Sequence, residues 1–259
     1  MRDFTLSTYR LLLDELLEAG YRTFPLEEVC RSIPEGPFVV LRHDVDRNPQ
    51  NALKMAKLEK EAGVVSTYYF RMNKKVFIPD IIREISELGH EVGYHFEDLT
   101  SMNGDAVKAV DSFKRNIEKF RELVPVSTVS MHGKPLSRFD NRELIKMIDL
   151  KELDILCEPY SVVNRLNMVY LTDVGRKWNN RSTNFRDIAE GHDRYDLRTT
   201  FDVIAALGNE LSGKNMMLNI HPERWNEDIM PWLANAVWQK IKNAGKYVLI
   251  NLRSDGSNC

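Results

Sequence analysis

The stretch FVVLRHDVDRN, residues 38–48, joins an apolar run to a cluster of charges. The apolar run has no polar alternation, which predicts a strand that is covered on both faces. Asp44 and Asp46 are two positions apart, so on a regular strand their carboxylates would lie on the same face. Two carboxylates this close repel each other, which either raises the pKa of one of them or attracts a cation. The alternative is a structural role in ion pairs with Arg42 and Arg47.

Apolar runs of this kind alternate with helical patterns along the chain. The predicted strands are 38–46, 64–72, 90–96, 127–133, 154–161, 168–175, 215–225 and 247–252. The predicted helices are 49–62, 79–88, 104–123, 140–148, 195–211 and 226–244. This alternation predicts an α/β fold with parallel strands and right-handed crossovers. We expect one domain over residues 1–259, in which 1–36 form a helical extension packed on the outside or the base of a barrel.

Length and composition are those of an ordinary globular protein of 259 residues. The net charge of −2 gives no reason to expect a nucleic-acid partner. No stretch has the length and apolarity of a membrane span, and the first residues do not resemble a secretory signal. The three cysteines, Cys30, Cys157 and Cys259, are far apart and odd in number, which predicts reduced thiols and a cytoplasmic location.

A second cluster of polar residues lies in GHEVGYHFEDLT, residues 89–100. It places His95, Glu97 and Asp98 at the end of a predicted strand, on the edge where the active sites of parallel sheets gather. Imidazole nitrogens and carboxylate oxygens are typical ligands of zinc and related divalent ions. The cluster therefore favours a metal site over isolated structural residues.

A third cluster, LNIHPERW at residues 218–225, places His221 at the end of another apolar strand. A histidine can donate or accept a proton near neutral pH, as a general acid or base must. Arg224 and Trp225 would suit a sugar, since an aromatic ring can stack on it and a guanidinium can donate hydrogen bonds. The alternative is a capped strand end with a tryptophan in the core.

Two further strand ends carry weaker signals. His132 follows the predicted strand in VSMHGKP, and Asp173, Arg176 and Trp178 follow the one in LTDVGRKWN. Each of these motifs is ambiguous when it is considered alone.

The motifs VLRHDVDR, GHEVGYHFED, MHGKP and NIHPERW, in this order, resemble those of the polysaccharide deacetylase family. This is the NodB-homology group of carbohydrate esterases, and the chain resembles its divergent branch with an HDVD first motif. The resemblance covers residues 39–252 and implies a distorted (β/α) barrel of about seven parallel strands. It also implies hydrolysis of N-acetyl groups, mostly on amino sugars, with a divalent metal held by one aspartate and two histidines.

The resemblance assigns roles to individual residues of this chain. Asp44 matches the general base of the family, and Asp46 is the expected metal ligand from the first motif. His95 matches the first metal histidine, and His221 matches the general acid. The second metal histidine of the family, four positions after the first, is replaced here by Leu99.

A leucine has no ligand atom, so a different third ligand is expected. Asp98 is favoured, because it neighbours the position of Leu99 and carries oxygen ligands. Glu97 and His132 are the alternatives, as is loss of the metal site. His43 is also retained as a residue that could contact metal or substrate.

The sequence thus predicts a metal-dependent amide hydrolase that removes an N-acyl group from an amino sugar or a polysaccharide precursor. The expected metal is zinc, with iron or manganese as alternatives. The alternative functions are a catalytically inactive binding module of polysaccharide biosynthesis and a hydrolase of another C–N bond. Substrate contacts are expected from Arg42, Asp173, Arg176, Trp178, Arg224 and Trp225.

Overall fold

A parallel sheet forms the centre of the fold in the computed structural model, which describes residues 2–134, 137–178 and 195–255. The strands are β1 (Arg22–Thr23), β2 (Phe38–Val45), β3 (Thr67–Phe70), β4 (Glu91–Phe96), β5 (Val129–Met131), β6 (Val169–Thr172) and β7 (Met216–Ile220). Their order is β5-β4-β3-β2-β7-β6, with β1 paired to the start of β2, and every pair is parallel. The prediction of an α/β fold with about seven parallel strands is confirmed.

Helices connect the strands and cover the outside of the sheet. They are α1 (Leu6–Glu18), α2 (Leu26–Arg31), α3 (Pro49–Glu61), α4 (Pro79–Glu87), α5 (Asp98–Ser101), α6 (Ala106–Arg121), α7 (Arg142–Ile145), α8 (Pro159–Leu166), α9 (Thr200–Leu207) and α10 (Ile229–Asp255). Short 3-10 turns occupy Lys151–Leu153 and Pro222–Arg224. Among the described helices, none is long and apolar enough to span a membrane.

The sheet curls, so that its two edges approach each other as in a distorted barrel. Thr128, next to β5, forms an isolated parallel bridge with Cys157. Three residues later, the ring of Tyr160 lies 5.8 Å from the ring of Tyr170 in β6, at the other edge. The Tyr160 ring also lies 4.9 Å from the guanidinium of Arg42, which belongs to the central strand β2. Side chains from both edges therefore meet inside the curled sheet.

The N-terminal helix α1 packs against α3 and α9 on the outside of the sheet. Its fully buried side chains, Tyr9, Leu12, Leu13 and Leu16, recur at the three- and four-residue spacing of one helix face. The Thr5 hydroxyl accepts a hydrogen bond from the backbone N–H of Thr8 and so caps the first turn.

Two of the predicted strands are wrong. Within 154–161, only Cys157 pairs, and a helix begins at Pro159 because the Glu158 side chain accepts hydrogen bonds from the N–H groups of Tyr160 and Ser161. Residues 247–252 belong to α10 and form no strand. The helix predicted over 226–244 continues through Gly245, since one glycine weakens a helix by about 1 kcal/mol without necessarily ending it.

The cysteine prediction is wrong for two of the three thiols. Cys30 in α2 and Cys157 form a disulfide across a sequence separation of 127 residues, with a Cα–Cα distance of 6.5 Å. Their distance in sequence had argued against pairing, but the curled sheet brings them together. The cytoplasmic location loses this support and stays a prediction. Cys259, and the loop residue His192 to which the sequence assigns no role, lie outside the described residues.

Candidate metal centre and catalytic site

Three potential metal ligands from three strand ends lie together at one edge of the sheet. Asp46 follows β2, His95 is in β4, and His132 follows β5. One ligand atom of each residue lies within 4.8 Å of the others. The Oδ1 atom of Asp46 is 3.6 Å from Nε2 of His95 and 3.2 Å from Nε2 of His132.

These distances fit a divalent cation. Ligands about 2.0–2.1 Å from a tetrahedral zinc are about 3.4 Å from one another, and the two Asp46 distances lie on either side of that value. The buried Oδ1 of Asp46 faces two imidazole nitrogens, an arrangement in which all three atoms could bind one cation.

The two histidines are oriented by different partners. The Nδ1 atom of His95 is 3.0 Å from the backbone carbonyl of Ser130, so it carries the proton and leaves Nε2 with a free lone pair. Burial lowers the pKa of His95 to about 4, which keeps the ring neutral. The Nδ1 atom of His132 instead faces the Glu97 carboxylate, 3.4 Å from Oε2.

Glu97 connects His132 to a cation. The Arg71 guanidinium donates two hydrogen bonds to Oε1 of Glu97, at 2.9 and 2.5 Å. Burial lowers the pKa of His132, but the Asp46 and Glu97 carboxylates outweigh it and raise this pKa to about 9. Burial likewise raises the pKa of Glu97, and His132 and Arg71 outweigh it, so the net value is about 2. Metal binding would therefore compete with a proton on His132.

Asp98, the expected third ligand, points away from this cluster, and that prediction is wrong. Its carboxylate accepts hydrogen bonds from Tyr94 at 2.7 Å, Ser112 at 2.6 Å and Asn116 at 2.9 Å. Asp98 is the first residue of α5, and its side chain is directed toward α6. His132, one of the alternatives, occupies the place beside His95 instead.

His43 lies on the opposite face of β2, so its predicted contact with metal or substrate is also wrong. Its Nε2 atom is 2.7 Å from Oε1 of Glu59, a fully buried carboxylate of α3. Ser66 and Tyr68 donate hydrogen bonds to the same carboxylate at 2.6 and 2.7 Å. Leu99 is buried in the core, 5% exposed, and does not reach the cluster.

Asp44, the predicted base, lies next to the cluster and is held by two residues. Arg42 donates a bidentate pair of hydrogen bonds to it, at 2.9 and 2.7 Å. Asn219, in the neighbouring strand β7, donates a third at 3.2 Å. The Oδ2 atom of Asp44 is 3.7 Å from Nε2 of His95. The two aspartates of the first motif therefore face the same site, as their spacing predicts.

His221, the predicted acid, follows β7 and is paired with Asp173. The Nδ1 atom of His221 is 2.7 Å from Oδ1 of Asp173, and its backbone N–H donates to Oδ2 at 3.1 Å. Burial and the Arg224 cation lower the pKa of His221, but Asp173 raises it to a net value above the ordinary one. His221 follows β7, whose register pairs Ile220 with His43 of β2, so His221 and Asp44 lie at neighbouring positions of adjacent strands. Burial raises the pKa of Asp46, but the charges of three histidines, His221 among them, outweigh it and lower this pKa well below its ordinary value.

Most of the residues expected to contact substrate are buried, and they hold other side chains of the site in place. Arg42 and Asp173 are 1% and 0% exposed and hold Asp44 and His221. Arg224 donates a hydrogen bond to the backbone carbonyl of Asp173 at 2.7 Å. These three residues hold other site residues in place, and their predicted contact with substrate stays a prediction.

Both tryptophans of this set belong to the core. Trp225 is fully buried; its Nε1 donates to Asp173 at 2.9 Å, and its ring packs on those of Phe4 and Trp178. Trp178 is 1% exposed, so neither ring offers a face to a sugar. The half-buried Arg176 lies over the ring of Trp232 in α10, 4.8 Å from its centroid. Substrate contacts by the two tryptophans and by Arg176 stay predictions, although the buried rings argue against stacking on a sugar.

Two site residues were missed. Arg71 directly follows β3, at the strand edge where the other charges gather, and this position was a usable signal. Asn219 precedes His221 by two residues, which places both side chains on one face of the strand.

No family model matches the sequence, and no curated protein matches it. Among solved structures, the chain is similar to a Streptococcus mutans CE4 esterase, with a TM-score of 0.47 and 14% identity over 88% of this chain and 89% of that one. It is also similar to a mutant of the peptidoglycan deacetylase PdaC from Bacillus subtilis (TM-score 0.44, 11% identity, 87% and 96% of the two chains).

A third similar structure is a CE4 family pseudoenzyme from Bacillus anthracis, with a TM-score of 0.45 and 12% identity. The similarity covers 81% of this chain and 62% of that one, so this chain spans less than two thirds of its length.

Proposed function

We propose that the protein is a metal-dependent amide hydrolase that removes an N-acyl group from an amino sugar or a polysaccharide precursor. The observation that supports this most is the cluster of Asp46, His95 and His132, with Asp44 beside it and His221 at the end of the neighbouring strand β7. A carboxylate and two imidazoles form a typical site for zinc, and iron or manganese are the alternatives. The cytoplasm is proposed as the location, where such a precursor would be met.

A bound divalent cation would lower the pKa of a water molecule and polarise the acyl carbonyl. Asp44 is placed to accept the proton of that water, because its Oδ2 atom is 3.7 Å from Nε2 of His95. Arg42 and Asn219 hold Asp44 in this orientation. His221 then donates a proton to the leaving amine, so that the amide yields a carboxylate and a free amino group.

The pairing of His221 with Asp173 suits the role of an acid. The Asp173 carboxylate fixes the orientation of the ring through Nδ1 and helps to hold a proton on it. As a metal ligand, His95 must instead be neutral. Its ring stays neutral through burial and through the contact of Nδ1 with Ser130, and Nε2 is available to a metal.

Metal content of the purified protein tests the centre directly. We expect about one zinc, iron or manganese ion per chain, and its loss in His132→Ala. Asp98→Asn is the matched control, since it alters the neighbouring carboxylate that points away from the cluster. Retention of the ion by His132→Ala together with its loss from Asp98→Asn would contradict the assignment of the third ligand.

Acetate release from N-acetylated sugars, sugar phosphates and nucleotide sugars tests the reaction. Asp44→Asn and His221→Ala should each lower the rate by about 100-fold or more while the metal stays bound. Metal-loaded protein that releases no acyl group from any of these compounds would refute the proposal and favour a binding module.

A further inference from the structure

A cavity of about 510 Å³ opens next to the candidate metal centre and shares Asp46 with it. One wall is the loop after β2, with Arg47 and Asn48, and the other is the loop after β3, with Arg71 and Lys75. These two strands are adjacent in the sheet and parallel, so both loops leave from the same edge. The cavity has the size of a small-molecule site.

The loop after β3 is folded tightly. The backbone N–H of Lys75 donates to the side-chain oxygen of Asn73 at 3.0 Å, and those of Val76 and Phe77 donate to the Asn73 carbonyl. These bonds form a compact turn, which positions Arg71 and Lys75 on the same side of the cavity.

The cavity has an excess of positive charge. Arg47, Arg71 and Lys75 line it, and Asp46 is the sole acid among its lining residues. Arg71 shares its charge with Glu97. In the part of the chain that the structure describes, no carboxylate lies within ion-pair distance of Arg47 or Lys75. Asn48 precedes the 13-residue helix α3, so the positive end of that helix dipole lies at the same cavity.

We propose that this cavity binds the phosphate group of a phosphorylated amino sugar whose N-acyl group lies at the candidate metal centre. The inference rests on the proposed function and narrows its substrate class. Guanidinium and ammonium groups are the usual partners of phosphate. In a 2-acylamido sugar, the anomeric carbon adjoins the carbon that bears the amide. A phosphate on it would reach the cavity while the amide lies beside Asp46.

Calorimetric titration of the Asp44→Asn variant, which should keep its metal but turn over slowly, tests the proposal. The probes are N-acetylglucosamine, its 1-phosphate and its uridine diphosphate conjugate, and the variants that follow carry the same Asp44→Asn substitution. We expect both phosphorylated probes to bind at least about tenfold more tightly than the neutral sugar. The tighter of the two identifies the source of the phosphate as a sugar phosphate or a nucleotide-linked sugar.

Paired variants locate the binding. The double variant Arg47→Ala, Lys75→Ala should lose about tenfold or more in affinity for the phosphorylated probes and none for the neutral sugar. Lys74→Ala is the matched control, because this exposed lysine neighbours Lys75 but does not line the cavity. Equal binding of all three probes, or equal losses in Lys74→Ala and the double variant, would overturn the proposal.

A repeat after dialysis against a chelator separates the cavity from the metal. Phosphate affinity that disappears with the metal would place the phosphate on the ion and overturn the proposal. Tight phosphate binding combined with no acyl release from any substrate would refute the proposed hydrolysis alone.

Discussion

Removal of the disulfide between Cys30 and Cys157 should greatly reduce the stability of the fold. The bond closes a loop of 127 residues, and a cross-link of that span lowers the entropy of the unfolded chain by an amount worth about 5 kcal/mol at 25 °C. The bond also holds the segment that extends the sheet beyond β5, where Leu156 N–H donates to the Ser127 carbonyl at 2.8 Å. The double variant Cys30→Ser, Cys157→Ser should therefore lose about 3–5 kcal/mol.

Guanidinium unfolding, followed by tryptophan fluorescence with and without a reductant, measures this loss. We expect the reductant to destabilise the native protein and to leave the double variant unchanged. Cys259→Ser is the matched control and should respond to the reductant like the native protein. Thiol titration of denatured, unreduced protein should find the thiol of Cys259 alone. Three reactive thiols, together with a reductant effect on stability below about 1 kcal/mol, would refute the disulfide and support the reduced thiols that the sequence predicts.

Three further changes have expected outcomes. Asp173→Asn should lower the pKa of His221, because the Asp173 carboxylate raises it. A general acid with a lower pKa loses its proton sooner, so the basic limb of the pH–rate profile should move to lower pH and kcat should fall about 100-fold. Burial raises the pKa of Glu59, but His43, His90 and Ser66 outweigh it and lower this pKa to about 2. The ionised carboxylate therefore adds about 3 kcal/mol to the free energy of unfolding above pH 4.5, and this contribution is lost as the pH falls toward 2. Urea unfolding at several pH values should show this loss in native protein and less of it in Glu59→Gln. Gly93→Ala would place a Cβ atom 2.7 Å from the Thr128 carbonyl oxygen and should lower stability by about 3 kcal/mol in the same assay.

Much of the site could be predicted because it follows from strand periodicity. Asp44 and Asp46 are two positions apart at the end of an apolar strand, and in the structure both lie within 3.7 Å of His95 Nε2. His221 lies at the corresponding end of β7, the other neighbour of β2. Parallel strands bring their carboxyl ends to one edge, so these residues converge without any further information.

The third member of the cluster could not be predicted in this way, since it depends on a contact between strands. His132 reaches Asp46 because β5 pairs with β4 in a register that places Phe96 opposite Met131, and the His132 N–H donates to the Phe96 carbonyl at 2.8 Å. Asp98 is nearer to His95 in sequence, yet it begins a helix and turns toward Tyr94 and Ser112. Nearness along the chain was therefore a poor guide to the third member of the cluster.

The sequence by itself determined the parallel α/β architecture and the edge that carries the charges, because apolar runs and their polar ends are local patterns. Only the tertiary structure decided that Cys30 meets Cys157, that Trp225 is buried and bonded to Asp173, and that His132 completes the cluster. Each of these depends on the curl and the register of the sheet, which bring together residues that no local pattern connects.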